Sequence, residues 1–320
     1  MGLLNALTRT IYMPLCRAYA RHFVGDKPAD RTLGCLASLF FYKVHGYWPN
    51  LKSPRSFEEK VVSRMLFDRN PLWTLFSDKL RVRDYVAERV GEECLVPLLW
   101  HGENPDEIPF DEFPSKFVIK TNHGCYYNII VTDKAQLDLA KTRRKLRGWL
   151  GENFGEEAML GISWAYKDIK SAIIVETFLD DNGKVPTDYK FFCFSGRMEY
   201  IQMNFDRFQE PYEKFFDRDF NPLDLWQGTR QYPSKVTPPK NYDEMIRIAE
   251  TLASGFDFLR VDLYNLDGRL YFGEITCYPA AGSVRFIPES FDFAFGEKWT
   301  FVSAPQTGAR VTAQHSEINV

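Results

Sequence analysis

The chain has 320 residues, of which 45% are hydrophobic, and a formal net charge of −3. A chain of this length buries a sizeable core without disulfide staples, so we expect a globular protein. Both charge signs are mixed along the chain, and the strongly basic balance typical of nucleic-acid binding is missing, which excludes duplex binding and predicts no nucleic-acid partner.

The first predicted element is an N-terminal helical segment, residues 1–55. Its apolar residues recur three to four apart with arginines between them, which indicates an amphipathic helix; they are Leu3, Leu4, Leu7, Ile11, Leu15 and Tyr19. Such a face packs either on the protein's own core or on a membrane surface. The basic excess of residues 1–31, with five Lys or Arg against two acids, supports the membrane alternative.

Two helices and a strand are predicted in residues 56–115. Ser56, followed by two glutamates and an apolar stripe, indicates a capped helix. The second helix is expected to begin near Ser77 and to end at Gly91, because glycine commonly follows the last helical residue. Residues 93–100 are apolar enough for a strand.

Residues 116–190 carry two more predicted strands. The first ends at Lys120 and opens into a loop that contains Gly124, and a polar helix is expected over residues 134–150. The short apolar run at 171–179 indicates a buried strand, and the segment 180–188 resembles a hairpin turn.

Residues 191–300 are predicted to contain two hairpins and a helix. Aromatic-rich strands join at a Ser-Gly turn at 195–196, a helix follows the prolines at 238–239, and a second hairpin turns at Asp-Gly 267–268. The small and polar residues 301–320 indicate a loose tail.

The last hairpin brings four functional side chains to one face. Arg260 and Asp262 are two apart on one strand, and Glu274 and Thr276 are two apart on its partner. Two carboxylates beside an arginine suit a Mg²⁺ ion that also binds nucleotide phosphates, so Asp262 and Glu274 are the predicted ligands. In an isolated hairpin, Arg260 and Glu274 would equally well form a cross-strand ion pair on a solvated face.

Lys120 and Glu176 extend this pattern. A lysine at a strand end, followed by a loop rich in donors, suits phosphate binding, although a lone lysine there is usually a surface residue. The apolar strand around Glu176 suits an adenine ring, with a core strand ending in a capping acid as the alternative. His123 is a candidate contact to phosphate or substrate, with a structural role as the alternative.

These motifs, in this order, resemble the ATP-grasp superfamily and more closely its TupA-like branch, associated with teichuronopeptide and other surface-polysaccharide biosynthesis. The matching segments span about residues 55–300 and read FEEK, DKLRVRDYV, FVIKTNHG, DYKFFCFSGR, NFDR, IAETLASGFDFLRVDLY and GEITCYPAAG. The resemblance implies an α+β ATP-grasp fold, in which two α+β lobes clasp ATP after the N-terminal helical segment. The implied divisions are an N-terminal part of the module (56–115), an ATP-binding lobe (116–190), a metal-binding catalytic lobe (191–300) and the tail (301–320).

The resemblance also implies roles for individual residues. Catalysis would fall to Arg260 and Lys120, and the metal site would consist of Asp262, Glu274 and Thr276. The residues implied in binding ATP are Lys79 and Lys120 at the phosphates, Glu176 with the main chain of Thr177 and Leu179 at adenine, Asp188 at ribose and Lys190 at a phosphate. One departure concerns Thr276, a hydroxyl where amide-forming members carry asparagine, so that it would ligate Mg²⁺ directly or through water.

The implied activity is that of a carboxylate–amine ligase that uses ATP and Mg²⁺ and acts through an acyl phosphate. Its carboxylate would be a small molecule or a glycan-linked uronic acid, and its amine an amino acid. Two alternatives remain: a kinase that phosphorylates a sugar hydroxyl with the same site, and a non-catalytic scaffold that binds glycan or protein.

Cysteine usage and hydropathy predict where the protein works. The six cysteines form no CxxC pair, which argues against zinc and fits free thiols in a reducing compartment. No apolar run is long enough to span a bilayer, and no signal-peptide core is present. We therefore expect a cytoplasmic protein, with peripheral contact at the inner membrane face through the N-terminal helix as the alternative.

Overall fold

The computed structural model describes residues 31–152, 163–181, 183, 185–205 and 211–300. The predicted amphipathic stripe at residues 3–19 and the predicted tail at 301–320 lie outside these residues. Within the described ranges, no helix combines the length and the apolar character needed to cross a membrane.

Of the seven α-helices in the described ranges, four precede the first strand, two lie between strands and one follows the last strand. Their bounds are α1 Arg31–His45, α2 Phe57–Phe67, α3 Leu72–Ser77, α4 Val82–Val90, α5 Leu139–Leu150, α6 Tyr242–Ala253 and α7 Ser290–Lys298.

The strands form two sheets. The small sheet has the antiparallel order β1-β4-β2-β3, and the large sheet has the order β11-β10-β5-β6-β7-β8, with β9 pairing in parallel with β7. The bounds are β1 Leu98–Gly102, β2 Phe117–Thr121, β3 Asn128–Val131, β4 Ile173–Thr177, β5 Asp188–Phe194, β6 Arg197–Phe205, β7 Tyr212–Asp217, β8 Pro222–Leu223, β9 Arg230–Gln231, β10 Phe258–Leu266 and β11 Arg269–Thr276. Helices packed around two largely antiparallel sheets confirm the predicted α+β class.

The first predicted helix start is confirmed, and the second is displaced. At α2, the Ser56 hydroxyl accepts from the N–H of Glu59 at 3.2 Å, and the Glu59 carboxylate accepts from the N–H of Ser56 at 3.1 Å, a complete capping box. The next long helix, α4, begins at Val82 instead of near Ser77. The Asp78 carboxylate accepts from the N–H groups after it, at 2.9 Å and 3.2 Å, and these bonds hold a turn before the helix.

The hairpin turn predicted at residues 180–188 is wrong. β4 lies inside the small sheet, between β1 and β2, whereas β5 lies inside the large sheet, between β6 and β10. Since β4 already has a partner on each side, it has no free edge on which β5 could pair. The segment between them is therefore the connection from one sheet to the other.

Each sheet has its own apolar core. The large core is dominated by aromatic rings, with Phe57 in edge or tilted contact with Phe192, Phe258 and Trp299. The small core lies under β2 and β4 and consists of Ile108, Phe110, Phe113, Phe117, Ile119, Val131, Leu146, Trp149, Ile173 and Val175. Most buried apolar residues of the described ranges belong to one of these two groups, so the fold has two lobes, each with its own core.

Candidate active site

The β10–β11 hairpin brings the four predicted residues together around one guanidinium. In the strand register, Arg260 is opposite Thr276, and Asp262 is opposite Glu274. Arg260 donates to both oxygens of Asp262 at 2.7 Å, to Glu274 Oε1 at 2.8 Å and to Thr276 Oγ1 at 2.9 Å. The bidentate contact fixes the plane of the guanidinium, so Arg260 is held rigidly at the centre of the cluster.

Strand β5 adds a second cation and a third carboxylate. The Lys190 ammonium lies 2.7 Å from Asp262 Oδ2 and 2.7 Å from Asp188 Oδ2, and all three side chains are buried. With Arg260 and Glu274, the cluster contains three acids and two bases. It therefore carries one net negative charge when every group is ionised.

Burial and charge pairing shift the pKa values of the central pair. Burial lowers the pKa of the Arg260 guanidinium, but the negative charges of Asp262, Glu274 and Asp188 outweigh it, and the pKa ends above its ordinary value. Burial raises the pKa of Asp262, and Glu274 and Asp188 add to that rise against the opposing charges of Arg260 and Lys190. A further cation at this cluster would favour the ionised form of Asp262.

The donor set fits Mg²⁺ that is shared with phosphate. Among the described residues, no three His, Cys, Asp or Glu side chains are grouped so as to hold a metal by themselves. Mg²⁺ is normally held by one or two carboxylates together with substrate phosphates and water. Glu274, whose side chain is 42% exposed, is the more accessible ligand candidate, whereas both oxygens of Asp262 already accept from cations. The Thr276 hydroxyl donates to Glu274 at 3.0 Å.

On the small sheet, Glu176 is held between two cations. Lys120 on β2 contacts Glu176 Oε2, and Arg83 on α4 donates to Glu176 Oε1 at 2.9 Å. The other arm of Arg83 donates to the Val96 carbonyl at 2.9 Å. Arg83 was missed by the sequence reasoning, because nothing in the sequence relates it to an acid 93 residues later.

A polar network fixes Lys79 beside the loop that follows β2. The Asn122 amide donates to Asp78 at 2.9 Å and accepts from the Ala172 N–H at 2.7 Å. The Lys79 N–H donates to the Asn122 carbonyl at 3.1 Å, and its ammonium contacts the Gly124 carbonyl. Asn122 belongs to the TNHG motif, but the sequence reasoning gave it no role.

The same loop approaches the predicted metal strand. Desolvation by the surrounding protein raises the pKa of its Cys125 thiol. The negative charge of Glu274 raises this pKa further, and the positive charge of Lys79 lowers it. The thiol also shares a hydrogen bond with Tyr166. The charges of Lys79, on the chain before β1, and of Glu274, on β11, thus both act on this loop.

His123 and the main chain of Thr177 already have hydrogen-bond partners within the protein. His123 is buried, and its Nε2 lies 3.0 Å from the Trp149 carbonyl; burial lowers its pKa and keeps the ring neutral near pH 7. These contacts favour the structural alternative for His123. The Thr177 N–H donates to the Pro97 carbonyl at 3.0 Å, and Leu179 lies half-buried two residues beyond β4.

Solved structures with partial similarity to the chain include several ligases. A D-alanine–D-alanine ligase from Bacillus anthracis, complexed with ATP, has a TM-score of 0.37 and 13% identity over 64% of this chain and 55% of that chain. The ADP complex of purK, N5-carboxyaminoimidazole ribonucleotide synthetase, has a TM-score of 0.40 and 13% identity over 65% and 46%. The ATP-grasp ligase PsnB, complexed with minimal precursor, has a TM-score of 0.35 and 13% identity over 71% and 62%.

The chain therefore spans less than two thirds of the length of each of these three structures. A search of curated proteins finds no match. A family model described as TupA-like ATPgrasp matches residues 59–300. This match covers well over half of the sequence, and the chain belongs to the TupA-like ATP-grasp family.

Proposed function

We propose that the chain is an ATP-dependent carboxylate–amine ligase that acts through an acyl phosphate. The observation that carries this proposal is the cluster around Arg260, with Asp262 and Glu274 on one face of the β10–β11 hairpin, in a chain of the TupA-like ATP-grasp family. Lysines together with a negative, arginine-centred cluster suit Mg²⁺-ATP, whose phosphates need both cations and a metal site.

In the first step, a carboxylate oxygen of the substrate attacks the γ-phosphorus of ATP, and ADP leaves. Lys79 and Lys120 offset the phosphate charge, and Lys190 is a further phosphate contact. Arg260, which is permanently charged and fixed in orientation, stabilises the negative charge that develops on the transferred phosphoryl group. For Lys120, this role requires that its contact be shared between Glu176 and phosphate.

Mg²⁺, when bound, would neutralise phosphate charge and align the triphosphate. Asp262 and Glu274 would hold it, with Thr276 a ligand directly or through water. In the nucleotide site, Glu176 accepts from the adenine amino group beside the main chain of Thr177 and Leu179.

The contacts of Asp188 and Lys190 bear on their proposed roles. Asp188 is proposed to reach the ribose, yet it lies against Lys190 in the present arrangement. A ribose hydroxyl at Asp188 would replace one of the two carboxylate contacts of Lys190, and the contact with Asp262 at 2.7 Å would keep its ammonium at the cluster.

In the second step, an amine attacks the carbonyl carbon of the acyl phosphate. Phosphate leaves, the amine loses a proton, and an amide forms. The association of the TupA-like branch with surface polysaccharides supports a uronic acid, free or on a glycan precursor, as the carboxylate and an amino acid as the amine. The cytoplasmic location, inferred from free thiols, stays a prediction.

The direct test is phosphate release from ATP with a panel of uronic acids and amino acids, followed by mass analysis of the product. We expect release to require both substrates, and Glu274→Gln and Asp262→Asn to abolish it while the circular dichroism spectrum is retained. Asp267→Asn, the same change at the turn of the same hairpin, is the matched control and should retain activity. Wild-type turnover in either site variant would contradict the assignment of that residue as a Mg²⁺ ligand.

The product separates the ligase from the kinase alternative. A ligase yields ADP, phosphate and an amide, whereas a kinase yields ADP and a phosphoester with no free phosphate. A phosphoester on a sugar hydroxyl would replace the ligase proposal with the kinase. Binding of glycan without ADP formation, across the whole panel, would favour a non-catalytic scaffold.

A further inference from the structure

Helix α1 presents apolar side chains on two opposite sides. Its inner side is buried on the large core through Leu33, Ala37 and Phe41. Its outer side, with the loop that follows, exposes Cys35, Leu39, Tyr42 and Trp48, which we call the α1 outer face. A helix that is apolar on all sides is normally covered on all sides, so we expect another surface to cover the α1 outer face.

The exposure of this face is concentrated and ordered. Six large hydrophobic side chains are exposed in the described part of the chain, and three of them lie here: Leu39 at 45%, Tyr42 at 43% and Trp48 at 59%. The rings of Tyr42 and Trp48 stack at 4.9 Å with an interplanar angle of 22°. Such clustering differs from the scattered apolar residues of an ordinary protein surface.

The charge of the surrounding sequence has one sign. Residues 31–57 contain four Lys or Arg and no Asp or Glu, and Arg31, Lys43, Lys52 and Arg55 are all exposed. Residues 1–57 carry eight basic and two acidic residues, whereas the remaining chain carries 32 basic and 41 acidic residues. The exposed aromatic pair therefore lies in a basic part of the chain, whereas residues 58–320 taken together are acidic.

Residues 1–30, a second copy of the chain and a lipid surface are the candidates to cover the α1 outer face, and their charges distinguish them. Residues 1–30 of the same chain carry four basic and two acidic residues, and a second copy would bring an identical basic face, so either occupant would place like charges together. An anionic lipid surface suits both features, because Trp and Tyr favour the boundary between headgroups and acyl chains and nearby Lys and Arg favour acidic headgroups. We propose that the α1 outer face docks on an anionic lipid bilayer. This proposal is independent of the ligase activity.

The test uses the full chain with vesicles of phosphatidylcholine, either alone or mixed with phosphatidylserine. We expect sedimentation with the anionic vesicles and not with the neutral ones, and a decrease with salt, since the attraction is screened over about 8–10 Å near physiological ionic strength. The double variant Leu39→Ser/Trp48→Ser should bind about tenfold more weakly or not at all.

Two matched controls separate the face from general effects. Leu139→Ser changes an exposed leucine on α5, on the other lobe, and should bind as the wild type does. Lys52→Glu should weaken binding, whereas Lys235→Glu, the same charge change on an exposed lysine outside the basic region, should have little effect. Equal effects within either pair, or equal binding to neutral vesicles, would overturn the proposal.

Thiol labelling tests the other occupants on the same protein. Cys35 lies on the α1 outer face and should react readily with a maleimide, and anionic vesicles should slow that reaction, as located by peptide mass spectrometry. Slow labelling without vesicles in a monomeric protein would mean that residues 1–30 cover the face. A dimer in sedimentation velocity that Trp48→Ser dissociates would mean that a second copy does. Either result refutes lipid docking.

Discussion

Replacing Arg83 with methionine tests whether a residue to which the sequence assigned no role holds the proposed adenine acid in place. Arg83 donates at 2.9 Å to Glu176 and at 2.9 Å to the Val96 carbonyl. Its side chain is 14% exposed and that of Glu176 is 8% exposed, so water screens this pair poorly. Methionine keeps most of the apolar stem and removes the two bonds.

The contacts set the size of the effect. A hydrogen bond to a charged group contributes about 1.5–3 kcal/mol to folding. Because Lys120 still neutralises Glu176 from its other oxygen, we take the lower end and expect a loss of about 2 kcal/mol in the free energy of unfolding. In the variant, Glu176 pairs with Lys120 alone. This pairing hinders the contact of Lys120 with phosphate. We expect ATP binding to weaken about tenfold, or about 1.4 kcal/mol.

Calorimetry with a non-hydrolysable ATP analogue measures the affinity, and urea unfolding measures the stability. The matched control is Arg89→Met on the same helix, where the guanidinium is exposed and lies 4.5 Å from the centre of the Tyr85 ring. The control should bind ATP normally. Arg83 does not hold Glu176 for ATP binding if Arg83→Met binds the analogue as tightly as the wild type, or if Arg89→Met loses as much affinity.

Three further predictions concern single positions. Lys120→Ala should weaken binding of the ATP analogue by about tenfold or more, because charge pairing with phosphate is strong where water is excluded. Unchanged affinity in calorimetry would mean that Lys120 does not contact phosphate. Burial raises the pKa of Asp292 to about 6, so its contribution to stability is present below about pH 4 and lost as the pH rises through about 6, by about 2–3 kcal/mol in total. Asp292→Asn should remove this loss in urea unfolding at the two ends of the range, and a variant with the same pH dependence as the wild type would contradict the assignment. Gly282→Ala should destabilise the fold by about 2 kcal/mol more than Gly228→Ala. The added Cβ at Gly282 would lie 2.4 Å from Val62, whereas a Cβ at Gly228 would have nothing within 4 Å. Equal decreases in melting temperature for the two variants would contradict this prediction.

Local signals predicted the elements that depend on neighbouring residues. The capping box at Ser56 and the Asp-Gly turn of the last hairpin involve groups a few residues apart, and both are present. The face shared by Arg260, Asp262, Glu274 and Thr276 also followed from the strand period of two.

Contacts between distant parts of the chain were beyond the sequence signals. Arg83 and Glu176 are 93 residues apart, and Asn122 and Asp78 are 44 residues apart, so no local pattern relates them. The segment at 180–188 was misassigned for a similar reason. Its Asp, Asn and Gly favour a turn locally, but whether the two strands pair depends on which edges other strands already occupy.

The two separate cores have a mechanical consequence for the cleft. A change in the angle between the lobes distorts the connections at residues 95–97 and 178–187, the segment around Ala165 that packs on the large core, and polar contacts such as Arg83 with Glu176. It affects the packing inside each apolar group less, because each group surrounds one sheet. The angle between the lobes therefore depends on these connections and polar contacts, and single substitutions there can change how widely the lobes open.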